Sequence, residues 1–100
     1  MDKYTIKLLS NAYHDLDQIY EYVAKELSVP ETAINLIDSL EEAIISLEEF
    51  PYRGASRRTG AYKNKNYRQL FTKNFTILYR TNEEEKQVVI VTIKYSRSQF

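Results

Sequence analysis

From Ala12 to Leu47 the apolar residues of this chain recur at helical spacing, and from Tyr67 onward they alternate at spacing two. One basic, glycine-containing stretch separates the two regimes. A chain that changes period once cannot be an all-helical bundle or a continuous β-sandwich. It has to place a helical unit against a sheet. One hundred residues suffice for a single domain with one core, and the 43% hydrophobic content is too high for a disordered chain. Residues 1–100 are therefore read as one domain.

Tyr4–Leu9 is short and β-prone and reads as a first strand. Ser10 or Asn11 can cap a helix, and Ala12, Leu16, Ile19, Val23 and Leu27 then fall on one helical stripe. Ser28-Val29-Pro30-Glu31 is a second start signal, with a capping box from Ser28 to Glu31 and Pro30 in the first turn. Ala33, Leu36, Ile37, Leu40, Ala43, Ile44 and Leu47 form a wide second stripe, and Phe50-Pro51 is expected to end that helix. The short link makes the two helices a hairpin. Pro51–Asn66 holds both glycines, Gly54 and Gly60, and reads as a loop. Three strands follow at Tyr67–Thr72, Phe75–Thr81 and Gln87–Tyr95, joined by a tight turn at Lys73-Asn74 and a looser one over Asn82–Lys86. The expected fold is α+β in the order β-α-α-β-β-β, with the hairpin on one face of a small, mainly antiparallel four-stranded sheet. The other face is expected to lie open.

Charge follows the same division. Residues 1–52 carry three basic and eleven acidic side chains, and residues 53–100 carry eleven basic and three acidic ones. A formal charge of zero thus conceals halves of −8 and +8. From Arg53 to Asn82 there are eight Lys or Arg and no carboxylate, which suits phosphate or an acidic partner. With no cysteine, disulfides and thiolate metal sites are excluded, as a reducing cytoplasm permits. There is no Gly-rich phosphate loop, His/Asp metal cluster or Ser/His pairing, so no cofactor is expected. No apolar run is long enough to span a membrane. A cytoplasmic protein is expected.

Several residues and spacings fit a known pattern. Asp15-Leu16 is followed by an Ile19-x-x-Tyr22 step, then by Pro30-x-x-Ala33 and Leu47-x-x-Phe50-Pro51-x-x-Gly54. Tyr67-Arg68, the Phe75–Arg80 strand and the closing Tyr95-Ser96-Arg97 complete the series. Together they resemble the RelE/ParE superfamily of toxins from bacterial type II toxin–antitoxin modules, over nearly the whole chain. The resemblance implies a growth-inhibiting toxin, of the kind tied to plasmid stabilization, held in a heteromeric complex by a cognate antitoxin. ParE-like members inhibit DNA gyrase, whereas RelE-like members are mRNA interferases that cut mRNA on the ribosome.

Metal-independent RNA cleavage needs a base for the 2′-hydroxyl, an acid for the leaving oxygen and cations on the phosphorane. The single histidine, His14, lies on the first helix away from the apolar stripe and reads as solvated. Lys94 and Tyr95 are the better acid–base candidates. The resemblance carries the C-terminal arginine beside the scissile phosphate to Arg97, and a basic position on the second strand to Arg68. Thr76 stands where nucleases of the RelE type have an arginine. If the chain is a nuclease, Arg97, Arg68, Tyr95 and Lys94 form its site. If it acts by binding, Arg53, Arg57, Arg58, Lys63, Lys65, Arg68, Arg80 and Arg97 are the partner- or phosphate-binding set. The thin nuclease inventory favours gyrase inhibition, with mRNA cleavage as the alternative. Tyr67, Gln69 and Phe71 share a strand face, as do Phe75, Ile77 and Tyr79, and both sets read as sheet packing. Tyr13, Tyr20 and Tyr22 flank the first helical stripe, where a half-buried edge or a protein interface suits them.

Overall fold

The computed structural model describes residues 3–27, 30–56 and 67–96. The chain runs β1 (Thr5–Leu8), α1 (Ser10–Leu27), α2 (Pro30–Ser46), β2 (Ala55–Ser56), β3 (Tyr67–Thr72), β4 (Phe75–Asn82) and β5 (Gln87–Tyr95). The sheet order is β1-β5-β4-β3-β2, with β1 parallel to β5 and every other pair antiparallel. Two helices packed on a mixed sheet make the α+β architecture that the change of period requires. The capping box of Ser28 lies outside the described residues.

The core forms where the helical stripes meet the helix-facing side of the strands. Leu40, Ile44 and Leu47 pack with Ala12, Leu70, Ile77, Tyr79, Val88, Ile90 and Ile93. Each large side chain buried there contributes about 1.5–3 kcal/mol relative to exposure. The Lys73-Asn74 turn has φ of 49° and 69°, the paired positive values of a type I′ turn, which matches the twist of β3 and β4.

Four expectations need correction. The sheet has five strands rather than four, because Ala55-Ser56 pairs antiparallel with Gln69 and Arg68 instead of lying in a loop. Gly54 is the cause: a Cβ there would come within 2.7 Å of the Gln69 carbonyl oxygen and 2.6 Å of the Tyr79 hydroxyl. Only glycine lets the backbone lie this close to β3, and the next two residues follow the edge.

Helix α2 ends at Ser46 rather than at Phe50-Pro51. Leu47 N–H bonds to Ile44 O and Glu48 N–H to Ile45 O, a tightening of the last turn that draws Leu47 into the core. Helix α1 begins at Ser10 itself, so Leu9 is the residue before it, and its carbonyl accepts from Ala12 and Tyr13. Asn11 reaches sideways to the Thr92 hydroxyl at 3.2 Å.

The sheet's second face is also not open at its centre. Thr76 and Leu78 alternate with the core-facing Ile77 and Tyr79, and Val89 with Val88 and Ile90, yet all three are buried. Tyr67, Gln69 and Phe71 share that second face by register, and Phe71 remains 60% exposed.

Candidate functional site

Two polar clusters form at opposite ends of the sheet. At one end, Arg68 leaves β3 opposite Tyr79. Its Nη1 donates to the Gly54 carbonyl at 2.6 Å and to the Tyr52 carbonyl at 3.3 Å, while the guanidinium lies 4.9 Å from the centre of the Tyr52 ring. The buried Tyr79 hydroxyl accepts the Gly54 N–H at 2.9 Å. Burial pushes the Tyr79 phenol above its ordinary pKa, partly opposed by the Gly54 N–H and by the charges of Arg68 and Arg53. Arg53 donates to Ser46 Oγ at 2.7 Å. Tyr52 donates to the Glu83 carboxylate, and that bond is the main reason its pKa is pushed up to about 12. These two arginines fix the 52–54 turn to the sheet and to the end of α2.

At the other end, Asp15 of α1 is only 4% exposed and meets three donors from consecutive β5 residues. Its Oδ2 accepts the Thr92 hydroxyl and, at 3.0 Å, the Ile93 N–H. Its Oδ1 receives the Lys94 ammonium at 3.2 Å. The position has a backbone cause. Strand β1 stops at Leu8, opposite Ile90, while β5 runs on to Tyr95 with one extra residue, Val91, at the bulge facing Leu78 and Tyr79. Beyond that point α1 supplies a carboxylate where a strand would have supplied a carbonyl. Tyr95 packs edge-on against Phe75, ring centres 5.7 Å apart.

Arg68 and Lys94 are therefore not neighbours. They sit on strands flanking β4, opposite Tyr79 and Thr76, and alternate to opposite faces. From strand spacing and rise, their α-carbons stand about 14 Å apart. Arg80 lies at the Arg68 end of the sheet, one residue further along β4 than Tyr79, half-buried and opposite Tyr67 and Val89. Arg57, Arg58, Lys63, Lys65 and Arg97 lie outside the described residues. His14 is solvent-exposed on α1, as read. Among the described residues, no three His, Cys, Asp or Glu side chains group as a metal site, and no helix is long and apolar enough to cross a membrane.

Sequence reading missed Asp15, although a signal was present. It stands three residues after Ala12 and four before Ile19, so an acid occupies the apolar stripe. The Tyr79–Gly54 contact carried no such signal, because it joins residues 25 apart.

The family model for the ParE toxin of the type II toxin–antitoxin system parDE matches residues 6–100. The chain belongs to the ParE toxin family. The toxin's fold is shared with the chromosomal ParDE system of P. aeruginosa at a TM-score of 0.76 and 24% identity, over 93% of this chain and 96% of that one. It is also shared with the RelBE2 toxin–antitoxin complex of Mycobacterium tuberculosis, at 0.66 and 20%, over 95% of this chain and 93% of the other. The intact E. coli RelBE complex matches at 0.60 and 9%, over 95% and 99%. No curated protein sequence matches the toxin.

Proposed function

We propose that this toxin acts in the cytoplasm by binding and inhibiting DNA gyrase, and that a cognate antitoxin neutralises it in a heteromeric complex. Membership in the ParE family supports the gyrase target, and the fold shared with ParDE and RelBE complexes supports the antitoxin. The observation that supports a binding mechanism over a cleaving one is the separation of Arg68 from Lys94 and Tyr95. A phosphoryl-transfer site needs base, acid and cation converging on one phosphate. Here Arg68 is engaged by backbone carbonyls at one end of the sheet. Lys94 is engaged by Asp15, and Tyr95 by Phe75, at the other.

Purified toxin added to a gyrase supercoiling reaction is expected to block supercoiling. In a coupled translation reaction read by primer extension, it is expected to leave the mRNA intact. Codon-positioned mRNA breaks with normal supercoiling would overturn the gyrase reading in favour of ribosome-dependent mRNA cleavage.

A further inference from the structure

A groove of about 560 Å³ runs between α1 and the end of β5. Its walls include Tyr22, Phe75, Tyr95 and Ile93, with Gln18 and Lys94 at the rim and Asp15 beneath. Tyr22 is 68% exposed and Tyr95 45%. Such rings are costly to leave in water and are the side chains that dominate binding energy at protein interfaces. The groove also has a fixed charge. The Lys94 side chain is 42% exposed, so its ammonium is held by Asp15 without being enclosed. An ammonium has three donors and Asp15 Oδ1 takes one, which leaves the others for an incoming acceptor. Asp15 is held by the Thr92 hydroxyl and the Ile93 N–H and is buried, so of the ion pair it is the ammonium that faces the groove.

We propose that this groove is where the toxin grips its protein target, through an apolar segment whose side chains enter between Tyr22 and Tyr95 and whose carboxylate meets Lys94. Asp15 is the positioning residue. It fixes the ammonium and the end of β5 against α1 before binding, so little ordering is left to oppose association. Charge selects the occupant: the ammonium is the exposed charge of the groove and calls for an acid, while three rings call for apolar contact. The inference rests on the gyrase-binding reading and gives Lys94 and Tyr95 a role in recognition in place of catalysis. It also gives function to a buried carboxylate that packing alone would not select, since burying a charge is costly unless every donor around it is placed.

The test compares wild type with Tyr22→Ala, Tyr95→Ala and Asp15→Asn in the supercoiling assay, with capture by the co-expressed antitoxin and thermal melting measured in parallel. Tyr22 is mostly exposed and its variant is expected to melt like wild type, whereas Tyr95→Ala gives up the edge contact with Phe75 and is expected to melt slightly lower; both are expected to bind antitoxin equally. Each is expected to need about 10-fold more toxin for half-inhibition. Asp15→Asn is expected to weaken inhibition in the wild-type background and to add nothing once Lys94→Met is present, the mark of a residue acting through its partner. Tyrosine variants that inhibit at wild-type concentration would overturn the proposal. So would a loss of antitoxin capture equal to the loss of inhibition, because the occupant would then be the antitoxin. A wild-type toxin that leaves supercoiling untouched would remove the gyrase reading itself, and this inference with it.

Discussion

Tyr52 shows how one exposed side chain can tie two turns together. Its hydroxyl is a donor to Glu83 only while protonated, and the carboxylate beside it holds the phenol's pKa up to about 12 against an ordinary 10. A folded-state pKa above the unfolded one means stabilisation that is complete below pH 10 and fades as pH rises towards 12. Tyr52→Phe is therefore expected to be less stable than wild type at neutral pH, with the difference in urea midpoint shrinking between about pH 10 and pH 12. A constant difference across that window would remove the bond's assigned role. Gly54 offers a second residue-scale test. The atoms that a Cβ would meet include the Gln69 backbone, which cannot rotate away. Gly54→Ala is expected to cost about 1–3 kcal/mol by chemical denaturation, with β2 released from the edge of β3. Neither contact was legible beforehand. Tyr52 to Glu83 and Gly54 to Tyr79 are joined by folding, so no local pattern records them. Asp15 was legible in principle, as an acid on an apolar stripe, but the stripe was read through its apolar members alone.

At the scale of elements, the long amphipathic segments and the three late strands were readable because each repeats its period several times. The ends were less so. Helix α2 stops four residues before Phe50-Pro51, since Leu47 gains more by turning into the core than by continuing the helix. Strand β2 is two residues long, too short for any period to show. The β3–β4 hairpin was read correctly from turn chemistry, yet its residues are not the best for the conformation. Lys73 and Asn74 both hold positive φ, where Asn followed by Gly is favoured. Replacing Lys73-Asn74 by Asn-Gly is thus expected to raise stability by about 0.5–1 kcal/mol, seen as a higher denaturant midpoint at unchanged slope. A lower midpoint would show that the Lys73 side chain contributes something its backbone conformation conceals.

At the scale of the whole molecule, the sorting of charge is now tied to structure in part. The negative half is the helical hairpin, and Arg53, Arg68 and Arg80 of the positive half lie on the sheet or at its edge. Two of those arginines are engaged internally, so fewer basic groups are available to a partner than the sequence count suggests. The surface is also not divided into an acidic face and an open basic one, since Thr76, Leu78 and Val89 are buried on the side away from the helices. What survives is a chain of two oppositely charged halves with no net charge. For such a molecule a salt effect on association cannot come from monopole attraction. It has to come from a pole facing a partner of opposite sign, over a range set by the Debye length of about 30 Å at 0.01 M salt and about 8 Å at 0.15 M. If the proposed antitoxin presents an acidic segment to the basic half, its association is therefore expected to slow by about 10-fold in on-rate over that salt range, with a smaller change in off-rate. Stopped-flow association at several salt concentrations measures this directly. Charge reversal at Arg80, which lies at the Arg68 end of the sheet, is expected to flatten the slope. An on-rate indifferent to salt would mean that the poles face away from the antitoxin and that apolar contact alone brings the two proteins together.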